Sequence, residues 1–411
     1  MNNLQAKLAL LKKVSGGPGG APQGSTTLKT GSRDQTDVRL RETLNGDFEE
    51  TPRGRIFVVR NRYSLSEPYG HTVLSESLGF PAHILSSLYQ GLEDFEMERS
   101  LFFDTETTGL AGGSGTYAFL VGLGYYKGEE FVTEQLLMRD HSDEPALLWY
   151  FAQRLRDKTS LVSFNGRTFD AQLLSTRYLM HRLQEPFEDR SHLDLLHISR
   201  RIWNFSRLPD CRLETLETRV VGAPRHDDVP GWMIPDLFFD FLRSRNPGPL
   251  KGVIEHNRRD LLAMVALCSK LNHLLNCQEP PGDPHLCLGL ARVWAHLEDW
   301  SRSDSFFRYA VTHRHLNEQA KEKGMIYWSR ELKKRRESEK AALLWRRILT
   351  HYPGNLEATV ELAKWLEHKR RDYRSALILV EGGLRDRTLT SVRRRELEHR
   401  ASRLRRRVGG E

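Results

Sequence analysis

Three prolines and a glycine within five residues, Pro280, Pro281, Gly282 and Pro284, cut this chain into two parts that cannot share one secondary-structure pattern. Such a stretch continues neither a helix nor a central strand, so it reads as a rigid linker at a domain boundary. Upstream, β-branched and aromatic runs at 101–104, 118–126, 131–138 and 161–164 alternate with helical patterns at 145–155, 169–180 and 257–271. Three closely spaced strands, then a helix, a strand and further helices predict a mixed sheet covered by helices, an α/β fold. Downstream only helical periodicity remains. The α/β domain is therefore expected over 99–278 and an all-α domain over 283–411. Residues 51–98 are expected to be an extension that packs on the core, opening with the strand-like run 56–59 and carrying no chemistry of its own. Residues 1–50, dominated by Gly, Pro, Ser and Thr at 15–27, are expected to be a flexible tail.

Within the helical part, segments 300–310, 337–349 and 372–384 each open on a charged or aromatic residue and continue as an apolar stripe at helical spacing. The offset from Ala341 to Ala376 is 35 residues, close to the roughly 34-residue period of tetratricopeptide hairpins, which these segments resemble in degenerate form. From residue 281 onward 29 Lys and Arg face 18 Asp and Glu, an excess larger than the +8 of the whole chain, so this part carries the basicity. The runs 333–336 and 403–407 suit a phosphate backbone, and equally suit solvated helix faces. Each part is expected to have its own hydrophobic core, so that a cut near residue 282 would leave a folded α/β domain.

At 411 residues and 39% hydrophobic, the chain is long enough for two or three domains. No apolar run approaches the roughly 18 to 20 residues of a membrane helix, which argues against a spanning protein. The face formed by Leu4, Leu8, Leu11 and Val14 lies beside Lys7, Lys12 and Lys13, and Lys7 interrupts it too early for a signal peptide, so a short docking helix is expected there. Cys211, Cys268, Cys277 and Cys287 form no CxxC pair and no zinc spacing, so neither a disulfide framework nor a zinc module is indicated and a reducing cytoplasm fits.

Three short motifs carry chemistry. In Phe-Phe-Asp-Thr-Glu-Thr-Thr-Gly, Asp104 and Glu106 are two apart on a strand and project to one side from its end. Paired carboxylates repel unless cations neutralise them, and hard ions such as Mg²⁺ or Mn²⁺ suit oxygen ligands. Next, the stretch 161–174 is a strand ending at Asn165, with Asp170 in the first turn of the following helix, where an acid also favours the positive helix end. Finally, in Glu-His-Asn-Arg-Arg-Asp, His256 and Asp260 are four apart and share one helix face.

The conjunction and order of these motifs resemble the DEDD-type exonucleases, which have a ribonuclease-H-like fold. The third motif has the spacing of their tyrosine subgroup with His256 in the tyrosine position, and departs from the histidine subgroup, in which four residues intervene. The chain resembles more closely the bacterial YprB-type ribonuclease-H-like proteins. That likeness rests on Gly-Thr-Tyr-Ala-Phe-Leu-Val-Gly after the first motif, on His192-Leu-Asp194-Leu-Leu followed by Arg200 and Arg201, on 213–217, and on Asp228-Val-Pro-Gly with Ile234-Pro235. Those proteins also join the α/β domain to helical repeats and show His-Asn-x-x-Asp as the third motif.

The resemblance implies a metal-dependent 3′–5′ exonuclease on single-stranded DNA or RNA ends. Asp104, Glu106, Asp170 and Asp260 would hold two divalent cations, Mg²⁺ or Mn²⁺, about 3.5 to 4 Å apart. His256 would be the general base. Asn165, Thr105 and Phe169 are the substrate-contact candidates, and Asp194 is expected to make structural hydrogen bonds rather than contact metal. The helical repeats leave room for a protein partner. Two rival classes are a non-catalytic nucleic-acid adaptor, which loss of an acidic ligand would favour, and a pure repeat scaffold, which leaves the first 275 residues without a role.

Overall fold

The computed structural model describes residues 33–109, 115–386 and 389–409. The proposed docking face at 4–14 and the 15–27 segment lie outside them. In chain order the first part comprises α1 (Arg33–Leu44), β1 (Asp47–Thr51), β2 (Gly54–Ser64), β3 (Pro68–Tyr69), β4 (Thr72–Val73), α2 (Ala82–Leu88), β5 (Ser100–Thr107), β6 (Ala118–Lys127), β7 (Glu130–Leu137), α3 (Glu144–Leu155), β8 (Ser160–Ser163), α4 (Asp170–Met180), β9 (Ser191–Asp194), α5 (Leu195–Trp203), α6 (Leu213–Leu216), α7 (Ile234–Ser244) and α8 (Leu250–Asn276). The second part is all helix: α9 (Pro284–His296), α10 (Trp300–Thr312), α11 (Glu318–Lys334), α12 (Ser338–His351), α13 (Leu356–Trp365), α14 (Tyr373–Leu384) and α15 (Ser391–Val408). Among the described residues no helix is long and apolar enough to cross a membrane.

Seven strands form one mixed sheet in the order β1-β2-β7-β6-β5-β8-β9. β5, β6 and β7 are an antiparallel meander, while β8 and β9 add parallel to β5, which puts β5 inside the sheet between antiparallel β6 and parallel β8. The period-two alternation expected of a sheet covered on both sides is visible along β2 and β5. Ile56, Val58, Leu101 and Phe103 pack under α3 and α4 with Leu147, Phe151 and Leu174. Phe57 and Val59 face the opposite side with Leu40, Phe238 and Leu250, and Phe102 joins the apolar side of α8.

The expected 1–50 tail needs correction from Arg33 onward. α1 buries Leu40 and Leu44 against the sheet, and β1 pairs with β2 from Asp47↔Val58 to Thr51↔Gly54. Buried Arg139 ties this helix to the start of α3, pairing with Asp37 of α1 at 2.9 Å and with Asp143, just before α3, at 2.8 Å. Such long-range pairing leaves no periodic trace in so polar a segment. The extension over 51–98 likewise does more than pack on the core, because β2 pairs along its length with β7 inside the sheet.

In the second part Asp283, Asp299, Asn317, Asn355, Asp372 and Thr390 each precede a helix and accept a backbone amide two or three residues on. These caps set the helix starts. Pro284 occupies the first turn of α9, so the last proline of the linker opens a helix as well as ending one pattern. Alternate helices begin at 284, 318, 356 and 391. The array does not have a core of its own. One apolar cluster runs from Phe102 and Leu261 through Ile202 and Trp203 to Trp294, Phe306, Trp345 and Leu404. α9 lies on α5 so closely that a Cβ at Gly289 would sit 1.8 Å from the carbonyl oxygen of Ile202. The linker separates two secondary-structure patterns, and the core is continuous across it.

Much of the basicity is spent inside the array. Lys333 pairs with Glu361, Arg335 with Asp304 at 2.8 Å, Arg403 with Glu367 at 2.7 Å and Arg405 with Glu381 at 2.8 Å. The runs 333–336 and 403–407 therefore serve in large part as bridges between neighbouring helices.

Candidate active site

β5 leaves the sheet with Asp104 and Glu106 on the side crossed by α8 and Thr105 on the side of α4. Asp104 stands opposite Gly122 in the ladder, and a Cβ at residue 122 would lie 2.0 Å from Asn257 Oδ1. Glycine at this position lets α8 approach closely enough for Asn257 Nδ2 to donate to Asp104 Oδ2 at 2.9 Å. Thr105 Oγ1 donates to Asp170 Oδ1 and ties the second motif to the first. Glu106, His256 and Asp260 each place one donor atom within 4.8 Å of the others. His256 Nε2 lies 3.6 Å from Asp260 Oδ2. The fold thus gathers residues 104, 106, 170, 256 and 260 from three separate stretches of chain at one end of β5.

The gathering is electrostatically costly. Burial first, and then the charges of Asp260, Glu106 and Asp170, push the Asp104 carboxyl well above its ordinary range. Burial, Asp260 and Asp170 do the same to Glu106. Burial pushes Asp170 up to about 6 against the opposing hydrogen bond from Thr105. The cluster offers carboxylate oxygen and imidazole nitrogen, and the raised Asp104, Glu106 and Asp170 carboxyls mark buried acidic groups short of positive charge. Hard divalent cations fit this donor set and would remove the deficit.

One fixed cation is nearby. Arg225, with its side chain 4% exposed, donates to Asp260 Oδ1, to Glu217 Oε2 and, at 3.0 Å, to Asp228 Oδ2. Burial alone would lower the Arg225 pKa, and the Asp260 and Glu217 charges more than reverse that. Tyr69 Oη donates to the other oxygen of Glu217, so the β3–β4 hairpin, expected to have no part in the chemistry, reaches this network. Both Asp228 oxygens lie 3.0 Å from His256 Nδ1. Burial would raise Asp228, but the neighbouring His256 and Arg225 hold it below the usual carboxylate range.

Asn165 adopts φ 65° at the turn between β8 and α4, and its amide donates to Asp194 Oδ1 at 2.7 Å. Asp194 also accepts from Arg167 N at 3.3 Å and caps α5 through Leu196 N at 3.0 Å. These bonds hold the second-motif turn. Behind it Ser163 Oγ meets His192 Nε2 at 2.8 Å, and burial lowers the imidazole to about 4, which keeps it neutral. Phe169 is 62% exposed immediately before Asp170.

The residues missed from sequence are Asn257, Arg225, Asp228, Glu217 and Tyr69. Asn257 had a signal, being adjacent to His256 in the third motif. Asp228 lay within the Asp-Val-Pro-Gly run used only as a mark of likeness, and Arg225 stands in a loop without periodicity.

A sequence profile described as the RNase_H superfamily matches residues 101–272, which span β5 through nearly all of α8. The chain is also 31% identical over 350 residues to a Bacillus subtilis (strain 168) protein named "Uncharacterized protein YprB", covering 84% of this chain and 82% of that one.

Proposed function

We propose, from the premise that this chain belongs to the YprB family with an RNase_H superfamily nuclease-like domain, that it is a metal-dependent 3′–5′ exonuclease of the DEDD type. The observation that carries the reading is the convergence of four carboxylates and His256 at the end of β5, with Asp104 and Glu106 held well above their ordinary pKa range. Two divalent cations, Mg²⁺ or Mn²⁺, at Asp104, Glu106, Asp170 and Asp260 would supply electrostatic stabilisation of the attacking and leaving oxygens.

The chain's own residues do the rest. Asp228 keeps a proton on His256 Nδ1, which leaves Nε2 free to take the proton of the attacking water and stabilises the imidazolium that forms. Asn257 fixes the rotamer of Asp104, and Arg225 fixes that of Asp260. Phe169 offers an exposed ring on which a terminal base stacks. Asn165 and Thr105 shape the strand's seat beside Asp170. The helical array, read as degenerate tetratricopeptide hairpins, extends the surface available to nucleic acid or to a protein. The four cysteines are free thiols, which fits a cytoplasmic site of action.

The test is release of mononucleotides or short products from end-labelled single-stranded DNA and RNA with Mg²⁺, Mn²⁺ or EDTA. Activity is expected with either metal, none with EDTA, and none for Asp104→Asn. Activity in Asp104→Asn equal to the parent would overturn the site. Inactivity on every substrate with retained nucleic-acid binding would favour the adaptor.

A further inference from the structure

A groove of about 420 Å³ lies where the helical array meets α5, and its walls combine Arg201 from α5, Arg292 from α9, Trp300 from α10, and Tyr327, Arg330 and Lys334 from α11. It draws on both sides of the linker, and the close seating of α9 on α5 at Gly289 and Ile202 holds the two walls in register.

The cations in this groove differ in what already satisfies them. Arg330 is paired with Glu357 and Lys334 with Glu331, so each has a carboxylate partner. Arg201 and Arg292 have none among the described residues. Arg201 Nη1 is buried without a hydrogen-bond partner, and its guanidinium lies 5.7 Å from the Tyr89 ring. Arg292 lies 4.4 Å over the Tyr327 ring and 5.7 Å from Phe205. A buried donor left unpaired costs free energy that a charged acceptor would recover. Glu298 and Glu331 also line the groove, and Glu331 is the partner of Lys334, which leaves Arg201 and Arg292 as the lining arginines without a carboxylate partner among the described residues.

α5 connects this groove to the catalytic end of β5. Its first residue follows Asp194, which holds the Asn165 and Arg167 amides of the second-motif turn, and Arg201 lies near its other end. His197, Arg200 and Arg201 recur at helical spacing, with His197 and Arg200 exposed. At about 1.5 Å per residue, the helix spans roughly 13 Å, a distance that a few nucleotides of single strand cover.

We infer that the α5–α9–α11 groove binds the single-stranded part of a nucleic acid upstream of the end being cleaved, with Arg201 and Arg292 taking backbone phosphates and Tyr327 and Trp300 taking bases. Cations interleaved with aromatic rings are the chemistry of single-strand tracks, in which stacking tolerates any base. Tyr327 already carries Arg292 at 4.4 Å and Arg330 at 5.3 Å, and Trp300 carries Arg335 at 5.1 Å, so bases of a strand would stack beside rings and guanidinium planes together, whereas an acidic peptide would use the arginines alone. This inference rests on the nuclease reading for its direction along the strand, and it can be tested without catalysis.

The experiment measures anisotropy of a labelled single strand of about 16 nucleotides with the full chain in EDTA over a salt series, for the parent and for the Arg201→Gln/Arg292→Gln double variant. Circular dichroism and melting check that the variant folds. The expected result is at least a tenfold loss of affinity and a salt slope shallower by about 1.4, two contacts of roughly 0.7 each. The aromatic variant Tyr327→Leu, which removes no charge, is expected to lose affinity with an unchanged slope. A folded double variant with the parent's affinity and slope would overturn the groove while leaving the cleavage test untouched. No binding of the oligonucleotide by the parent, with binding of a labelled poly-glutamate peptide, would overturn it in favour of an acidic protein partner.

Discussion

Both carboxylate oxygens of Asp228 lie 3.0 Å from Nδ1 of His256, and the opposite ring nitrogen points toward Asp260 and Glu106. This carboxylate–imidazole pair joins a loop to α8 and fixes which nitrogen of His256 faces the acidic site. His256→Ala is expected to lower turnover by roughly 10²- to 10⁴-fold with substrate affinity nearly unchanged. Asp228→Asn keeps the size of the side chain but weakens its hold on the tautomer, and is expected to cost about 10- to 100-fold in turnover. Separate measurements of binding and single-turnover rate check both variants. Weakened binding with normal turnover would reassign His256 to substrate positioning.

Arg225 is the buried counter-ion of Glu217, Asp228 and Asp260. Arg225→Gln takes the buried guanidinium from three carboxylates, leaving Asp228 its contact with His256 and Glu217 its bond from Tyr69, and removing one partner of a buried ion pair costs about 3 to 5 kcal/mol. The variant is expected to melt well below the parent in EDTA. It should recover more of that loss with Mn²⁺ than the parent gains, because the added charge then supplies what the guanidinium did. Equal Mn²⁺-induced shifts in the two proteins would show that Arg225 and the cation do not share Asp260.

The raised carboxyls make metal-free stability depend on pH in a defined direction. Asp170 at about 6, with Asp104 and Glu106 also raised by burial and by their acidic neighbours, binds protons more readily folded than unfolded. The stability these groups contribute is complete below the unfolded value near 4 and is lost as pH rises through the folded values. Melting in EDTA is therefore expected to worsen from about pH 5 to about pH 8 relative to Asp104→Asn. Stabilisation by Mn²⁺ is expected to be small at the lower pH and large at the higher one, since only the ionised carboxylates hold it. A Mn²⁺ shift of the same size at both ends of that range would place the cation elsewhere.

The meander β5–β7, β8, α3, α4 and α8 were legible because each is long enough to show a period of two or 3.6 residues, or ends on a turn signal. The chemistry-bearing residues of the acidic cluster were legible because each sits at a strand end or on a helix face within a recognisable spacing. The network behind them was not. Tyr69 and Glu217 are 148 residues apart and meet through a two-strand hairpin and one turn of helix, neither of which leaves a periodic trace. β1 was lost for a related reason: Asp-Phe-Glu-Glu-Thr is polar, and only its pairing with β2 makes it a strand. The shared core across the linker was hidden because a proline-rich break records a change of local structure and carries no information about which faces pack together afterwards.

That shared core yields the last prediction, at the contact between Gly289 of α9 and the Ile202 carbonyl of α5. A methyl group at residue 289 would sit 1.8 Å from that oxygen, and backbone cannot give way as a flexible side chain can. Gly289→Ala must push α9 off α5 and is expected to destabilise the full chain by about 1 to 3 kcal/mol or more, the usual cost of overpacking. Ending the chain after Gly282 removes α9, which lies on α5. Ile202, Trp203 and Phe205, now buried with Leu288, Leu290 and Trp294, would then face water as a contiguous apolar patch. The truncated protein is expected to aggregate or to bind a hydrophobic dye strongly, rather than to persist as an independent nuclease domain. Sedimentation and dye fluorescence of the 1–282 fragment decide the matter: a monomeric fragment with cooperative melting and low dye binding would show that the α/β part closes its core without the helices.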